Sequence, residues 1–183
     1  MMYPSEQKVT SEILWQAAAI LAVIDIPFVT ILTRRINREM FHQLKSDLVT
    51  ITAFFWFLVW ILMSAFFWEP VYHYVFPGWA RWQIPPLYGV LFALVALLFW
   101  WLSFRFSGHP VLNFCVLGGL WGMVTHAWGI TRGLIDKPPM LQGASPIAIV
   151  VMPIFEFIFY WCVILTLSAI SHQRRHRTKH PKL

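Results

Sequence analysis

Charged side chains are scarce in this sequence. Only 12% of the 183 residues are Asp, Glu, Lys or Arg, whereas 58% are hydrophobic. Soluble globular domains carry about 25% charged residues. Residues 48–68, 82–104 and 106–131 contain no Asp, Glu, Lys or Arg at all. Because an α-helix of about 20 apolar residues crosses the hydrocarbon core of a bilayer, this composition excludes an ordinary soluble domain and predicts a multi-pass integral membrane protein.

The apolar segments also lack the alternation of apolar and polar residues that marks a transmembrane β-strand. The predicted fold is therefore all-α, a polytopic membrane helix bundle with five transmembrane helices. We expect these helices at about residues 13–33, 48–68, 85–104, 111–131 and 147–170. They form one membrane domain, residues 13–171, between an outer N-terminal tail (1–12) and a basic cytoplasmic tail (172–183).

Basic residues are distributed unevenly among the connections. Ten of the 14 Lys and Arg residues lie on one side of the predicted bundle, and four lie on the other. Cytoplasmic segments carry the excess of Lys and Arg, so the N-terminus is predicted outside and the C-terminus in the cytoplasm. The basic segments are expected to contact anionic lipid headgroups, and their distribution argues against nucleic acid as a partner. With such short connections, a bacterial cytoplasmic (inner) membrane is the default location.

Cysteine is represented by Cys115 and Cys162 alone. Both fall within predicted spans, which favours two small apolar residues over a disulfide or a metal-binding pair. The sequence contains no nucleophile elbow, phosphate-binding loop or zinc-protease motif. These absences argue against an enzyme, and we expect no cofactor and no metal site.

Three ionisable residues, Asp25, His126 and Glu156, lie within the apolar spans. An acid near the centre of a membrane helix costs roughly 2.5–3.5 kcal/mol on insertion scales, so such residues usually face a bundle interior, a cavity or a partner. At 1.5 Å per residue, His126 and Glu156 are nearly level in the predicted outer half, and Asp25 lies slightly inward of the centre. We predict a polar centre that serves as an ion site, a proton site or an interhelical hydrogen bond.

Small residues mark one face on each of two predicted helices. Gly118, Gly122 and Gly129 recur along the fourth helix, and Ala18 and Ala22 recur along the first. Small residues at this spacing allow another helix to approach closely. We therefore predict that both faces pack against helices.

Three functions fit these observations. The favoured hypothesis is a non-catalytic subunit or interaction protein of a membrane assembly, because a 17% aromatic content and a glycine stripe suit helix docking. Its partners would be the lipid bilayer and other membrane helices, in a homo- or hetero-oligomer. The alternative is a small oligomeric transporter, channel or proton-coupled component that uses Glu156 and Asp25. A membrane-embedded enzyme or cofactor binder centred on His126 is the third hypothesis.

Overall fold

The structure is a computed structural model that describes residues 9–135 and 137–179. For residues 177–179 it describes the backbone only. It is 83% helical, and the described residues form no strand. In chain order the helices are α1 (Ser11–Arg35), α2 (Arg38–Gln43), α3 (Lys45–Phe67), α4 (His73–Val75), α5 (Ile84–Ser103), α6 (Pro110–Thr131) and α7 (Pro146–Lys179). A π-helical turn, Trp68–Tyr72, joins α3 to α4, and a 3₁₀ turn, Pro139–Leu141, precedes α7.

Within the described residues, five helical segments are long and apolar enough to cross a membrane: α1, α3 with its continuation through α4, α5, α6 and α7. The prediction of an all-α chain with five such helices is confirmed. The last helix is longer than expected, because α7 continues to Lys179 and includes residues 172–179, which the sequence assigned to a basic tail. The remainder of that tail and residues 1–8 of the outer tail lie outside the described residues.

Local sequence explains where the helices begin. The side chain of Thr10 caps α1 by accepting a hydrogen bond from the backbone N–H of Ile13. Prolines occupy the first turns of α5, α6 and α7, where a missing N–H leaves no carbonyl unpaired. Within the π-helical turn, Pro70 has no N–H to donate, which removes an α-helical hydrogen bond and favours the wider turn.

α7 is the central helix of the bundle and packs against α6, α1 and α3, while α5 packs against α3 and α6. The helices alternate in direction, so the bundle has two distinct ends. We call the end with residues 36–44 and 104–109 the basic end, because seven Lys and Arg residues with described side chains lie at or beside it. They are Arg34, Arg35, Arg38, Lys45, Arg105, Arg174 and Arg175. We call the end with connections 76–83 and 132–145 the loop end.

The glycines of α6 face α7 of the same chain. A Cβ atom built on Gly118 would lie 1.9 Å from Cδ1 of Trp161, and one built on Gly122 would lie 2.6 Å from the carbonyl oxygen of Pro153. Gly129 is covered in the same way by Ile135 of the following connection. The stripe that suggested docking of a partner helix is therefore filled inside the chain. On α1, Ala18 is buried and Ala22 is half-buried.

Candidate functional site

A cavity of about 490 Å³ lies among α3, α5, α6 and α7 in the half of the bundle nearer the loop end. Small-molecule sites in proteins typically measure about 300–1,000 Å³ and have mostly apolar walls. Val71, Tyr72 and Val75 border the cavity on one side, and another side is formed by Leu134, Ile135, Pro138 and Leu141. The cavity is thus a preformed space of ligand size within the apolar part of the bundle.

Aromatic rings form much of the cavity wall. Trp56 stacks on Phe92 with ring centroids 3.9 Å apart, and Trp60 contacts Tyr88 at 4.1 Å and Tyr72 at 4.8 Å. Trp56 and Trp60 are four residues apart on α3, so they project from the same face of the helix. Helix periodicity and the π-helical turn together place these rings around one space.

Glu156 lies on the wall of this cavity. The hydroxyl of Tyr160, one turn later on α7, donates a hydrogen bond to Oε1 of Glu156 at 2.5 Å. No described residue forms a hydrogen bond or an ion pair with Oε2. The carboxyl group is therefore oriented by its own helix, and one of its two oxygens has no described partner.

His126 lies on the same wall, on α6. Its Nδ1 is 2.8 Å from the carbonyl oxygen of Gly122. A carbonyl oxygen can only accept, so Nδ1 carries a hydrogen, and in the neutral ring Nε2 is the acceptor. The ring also packs edge-on against Phe157, with centroids 6.1 Å apart. These contacts fix the imidazole and leave Nε2 without a partner among the described residues.

His126 and Glu156 thus share one cavity, as their predicted depths suggested, and they lie within electrostatic range of each other. Asp25 is not among the residues that line it. Asp25 is 3% exposed on α1, which packs against α7 and α6, and neither of its carboxyl oxygens has a hydrogen-bond partner among the described residues. The structure therefore brings together two of the three residues of the predicted polar centre.

A second buried carboxylate, which we did not single out from the sequence, lies at the basic end. Asp47, in the first turn of α3, is only 4% exposed. It accepts a hydrogen bond from Ser171 Oγ at 2.9 Å, forms an ion pair with Arg175, and lies 3.5 Å from Nδ1 of His172. Ser171, His172 and Arg175 follow one face of α7, a pattern that would have been visible had the tail been taken as helical.

The two cysteines are also neighbours, which their positions in sequence did not reveal. Cys115 Sγ on α6 and Cys162 Sγ on α7 are 3.8 Å apart, and both are free and buried. Across the part of the chain that the structure describes, no three His, Cys, Asp or Glu residues are grouped so that they could hold a metal ion.

Comparisons with protein-family models, with curated proteins and with solved structures returned no match. The fold defines the class: an all-helical bundle with five helices apolar enough to span a membrane. The chemistry of the cavity supplies the remaining functional argument. The described lining residues combine aromatic walls, one carboxyl group and one imidazole around a space of ligand size.

Proposed function

We propose that this chain is a non-catalytic multi-pass membrane protein that binds a small amphiphilic molecule in the cavity beside Glu156 and His126. The observation that carries the proposal is a carboxyl group with an unused oxygen on the wall of a preformed, mostly apolar cavity. Pockets of this kind orient a ligand through a few polar groups and hold it by apolar contact. Ionisable groups inside a membrane protein commonly mark such sites.

A purely structural role for Glu156 and His126 explains their contacts less well. Polar residues that stabilise membrane helix packing form hydrogen bonds from one helix to another. Glu156 is instead bonded to Tyr160 on its own helix, and His126 to Gly122 on its own helix. Neither bond joins α6 to α7. Neither polar group forms a described hydrogen bond between helices, which supports a role in binding.

We further propose that the protein acts within a membrane assembly, in contact with lipid and with other membrane helices. The glycine stripe of α6 is covered by α7, so a partner would contact a different apolar face. By the positive-inside rule, the basic end would face the cytoplasm, with its Arg and Lys side chains near anionic headgroups, and the cavity would lie toward the outer side. A bacterial inner membrane is the proposed location.

The proposal is tested by filling the cavity. Val59 lines it, whereas the adjacent Leu58 is exposed on the outside of α3 and does not. Native mass spectrometry of the protein extracted from membranes without added ligand should detect a bound small molecule in the wild type and in Leu58→Phe. The signal should be lost in Val59→Phe, with helical content unchanged by circular dichroism. An equal amount of bound molecule in Val59→Phe, or none in the wild type, would refute the proposal.

A transporter that uses Glu156 and Asp25 is the second candidate. It is favoured by Asp25, because a buried acid without a partner is expensive and is seldom retained for packing alone. Proteoliposomes containing the wild type should then show flux of protons or Na⁺, and both Glu156→Gln and Asp25→Asn should reduce it. Flux equal to that of empty vesicles would remove this candidate, and a loss with Glu156→Gln alone would exclude Asp25 from the path.

A further inference from the structure

We propose that the cavity takes an organic cation, namely a protonated amine that carries N–H donors on an apolar, ring-sized body. This inference rests on the proposed function and names the chemical class of its ligand. It follows from three properties of the cavity: the sign of its charge, the nature of its walls and the type of its free hydrogen-bonding groups.

The charge of the cavity is negative when Glu156 is ionised. Among the described residues that line it, Glu156 is the only Asp, Glu, Lys or Arg. No described basic residue forms an ion pair with this carboxylate. An ionised carboxylate in an apolar site is costly unless an opposite charge compensates it. A cationic ligand would supply that charge, whereas an anionic ligand would be repelled.

The walls suit a cation as well. The faces of aromatic rings carry negative charge density and attract cations that lie within about 6 Å of the ring centre. Trp56, Trp60, Tyr72, Tyr88 and Tyr160 all line the cavity, so a positive group inside it would lie among aromatic rings. Tyr160 joins the carboxyl group directly to this aromatic wall through its hydrogen bond.

The free polar atoms indicate which kind of cation fits. Oε2 of Glu156 and Nε2 of His126 are both acceptors, and neither has a described partner. A primary or secondary ammonium group can donate a hydrogen bond to each of them. A quaternary ammonium group has no N–H to donate and would satisfy neither. The cavity therefore favours a protonated amine over a quaternary cation.

Three probes of nearly equal shape test the charge preference: 3-phenylpropylamine, 3-phenylpropanol and 3-phenylpropanoate. Their affinities are measured by equilibrium dialysis against the full chain in nanodiscs of zwitterionic phosphatidylcholine, with empty nanodiscs subtracted. Because an ammonium group forms charge-assisted hydrogen bonds to a carboxylate, the amine should bind at least about tenfold more tightly than the alcohol, and the acid should bind more weakly still. N,N,N-trimethyl-3-phenylpropylammonium should bind more weakly than the amine.

Two variants then assign the preference to one residue. Glu156→Gln should abolish the advantage of the amine over the alcohol and leave the affinity for the alcohol nearly unchanged. Glu156→Asp, which keeps the charge, should retain part of the advantage. Glu69→Gln serves as the matched control, because Glu69 is an exposed carboxylate at the same end that does not line the cavity.

The outcomes separate the cation class from binding itself. If the alcohol binds as tightly as the amine and neither binds to Val59→Phe, the cavity binds ligands but the cation class is wrong. If the amine keeps its advantage in Glu156→Gln, the class is also wrong, because the charge then lies elsewhere. If no probe binds to the wild type, both the cation class and the proposed function are contradicted.

Discussion

The two ends of the bundle each hold a buried or half-buried carboxylate, and the two carboxylates have different partners. At the basic end, Asp47 is surrounded by Ser171, His172 and Arg175, which include a cation and a hydroxyl donor. At the loop end, Glu156 has one neutral partner, Tyr160. Asp47 joins α3 to α7, whereas the bond of Glu156 stays within one helix. The difference distinguishes a carboxylate that links two helices from one that forms no described contact between helices by hydrogen bond or ion pair.

Packing is also different around the two carboxylates, being denser beside Asp47 than beside Glu156. Near Asp47, the side chains of Phe41, Leu44 and Leu48 are fully buried and fill the space between α2, α3 and α6. Around Glu156 the bundle leaves a cavity of about 490 Å³. Protein interiors are normally packed as densely as organic crystals, so a space of this size is unusual in a structural core. The core beside Asp47 is filled by apolar side chains, whereas Glu156 borders an open cavity.

The largest effect is expected where the two ends share a scaffold, at the contact of α6 with α7. Gly118→Leu would place a side chain where the ring of Trp161 lies, and Trp161 is fully buried. We expect the free energy of unfolding to fall by about 3 kcal/mol or more, at the upper limit for overpacked cores. The surroundings of both Asp47 and Glu156 should lose their structure. Denaturant unfolding in detergent, followed by circular dichroism, measures this free energy. Val124→Leu, on the exposed face of α6, should change little; equal stability of both variants would show that α6 and α7 do not meet as described.

The next largest effect should come from Asp47→Asn, which removes the charge that holds the end of α7. Breaking a buried ion pair costs about 3–5 kcal/mol, but Arg175 is 56% exposed and can return to water. We therefore expect the free energy of unfolding to fall by about 1–3 kcal/mol. Limited proteolysis should also cut the end of α7 more readily. Glu39→Gln, which alters an exposed carboxylate at the same end, is the control and should stay within about 0.5 kcal/mol of the wild type.

Glu156→Gln should have a smaller effect on stability than Asp47→Asn, despite its deeper position in the apolar spans. The variant keeps a hydrogen-bond acceptor for Tyr160 and removes a charge that no described cation compensates. We expect a change of less than about 1 kcal/mol, of either sign. Parallel unfolding curves of the two variants provide the measurement. A loss for Glu156→Gln as large as that for Asp47→Asn would remove the distinction between the two ends.

The smallest effect on ligand preference is expected for Tyr160→Phe, which removes one hydroxyl. The hydrogen bond to Glu156 contributes about 0.5–1.5 kcal/mol, and its loss frees the carboxyl group to rotate. Stability should fall by no more than this, while the preference for the amine probe weakens about threefold. Tyr74→Phe is the control, because Tyr74 is exposed and does not line the cavity. Equal affinities in both variants would show that Tyr160 does not orient the carboxyl group.

Much of the fold was predictable because the apolar runs are long and the charged residues mark their ends. The depth of His126 and Glu156 followed from the constant rise of an α-helix, so their common level was also predictable. The rotation of each helix about its axis was not, because it depends on packing contacts between distant segments. That is why Asp25 could not be assigned to the cavity or separated from it by sequence alone.

Other features were missed for reasons specific to their residues. The charges of Arg174 and Arg175 indicated a solvated tail, yet the adjacent Ser171 and His172 continue α7 and reach Asp47. The spacing of Glu156 and Tyr160 was visible as a pair four residues apart, but only the structure shows that it orients the carboxyl group. The proximity of Cys115 and Cys162 depends on the register between α6 and α7, which spacing within one helix does not determine.

The π-helical turn, Trp68–Tyr72, has a consequence for how this cavity can vary. One extra residue in a helical turn changes the angular phase of everything that follows by about 100° relative to an uninterrupted α-helix. Tyr72 and Phe76 are thereby brought over Trp60, with ring centroids 4.8 and 5.6 Å away. A single insertion or deletion in this turn would rotate both rings to another side of the helix axis. The residues of α3, which precede the turn, would keep their neighbours. A change of one residue in the length of this turn would thus change which ligands fit the cavity.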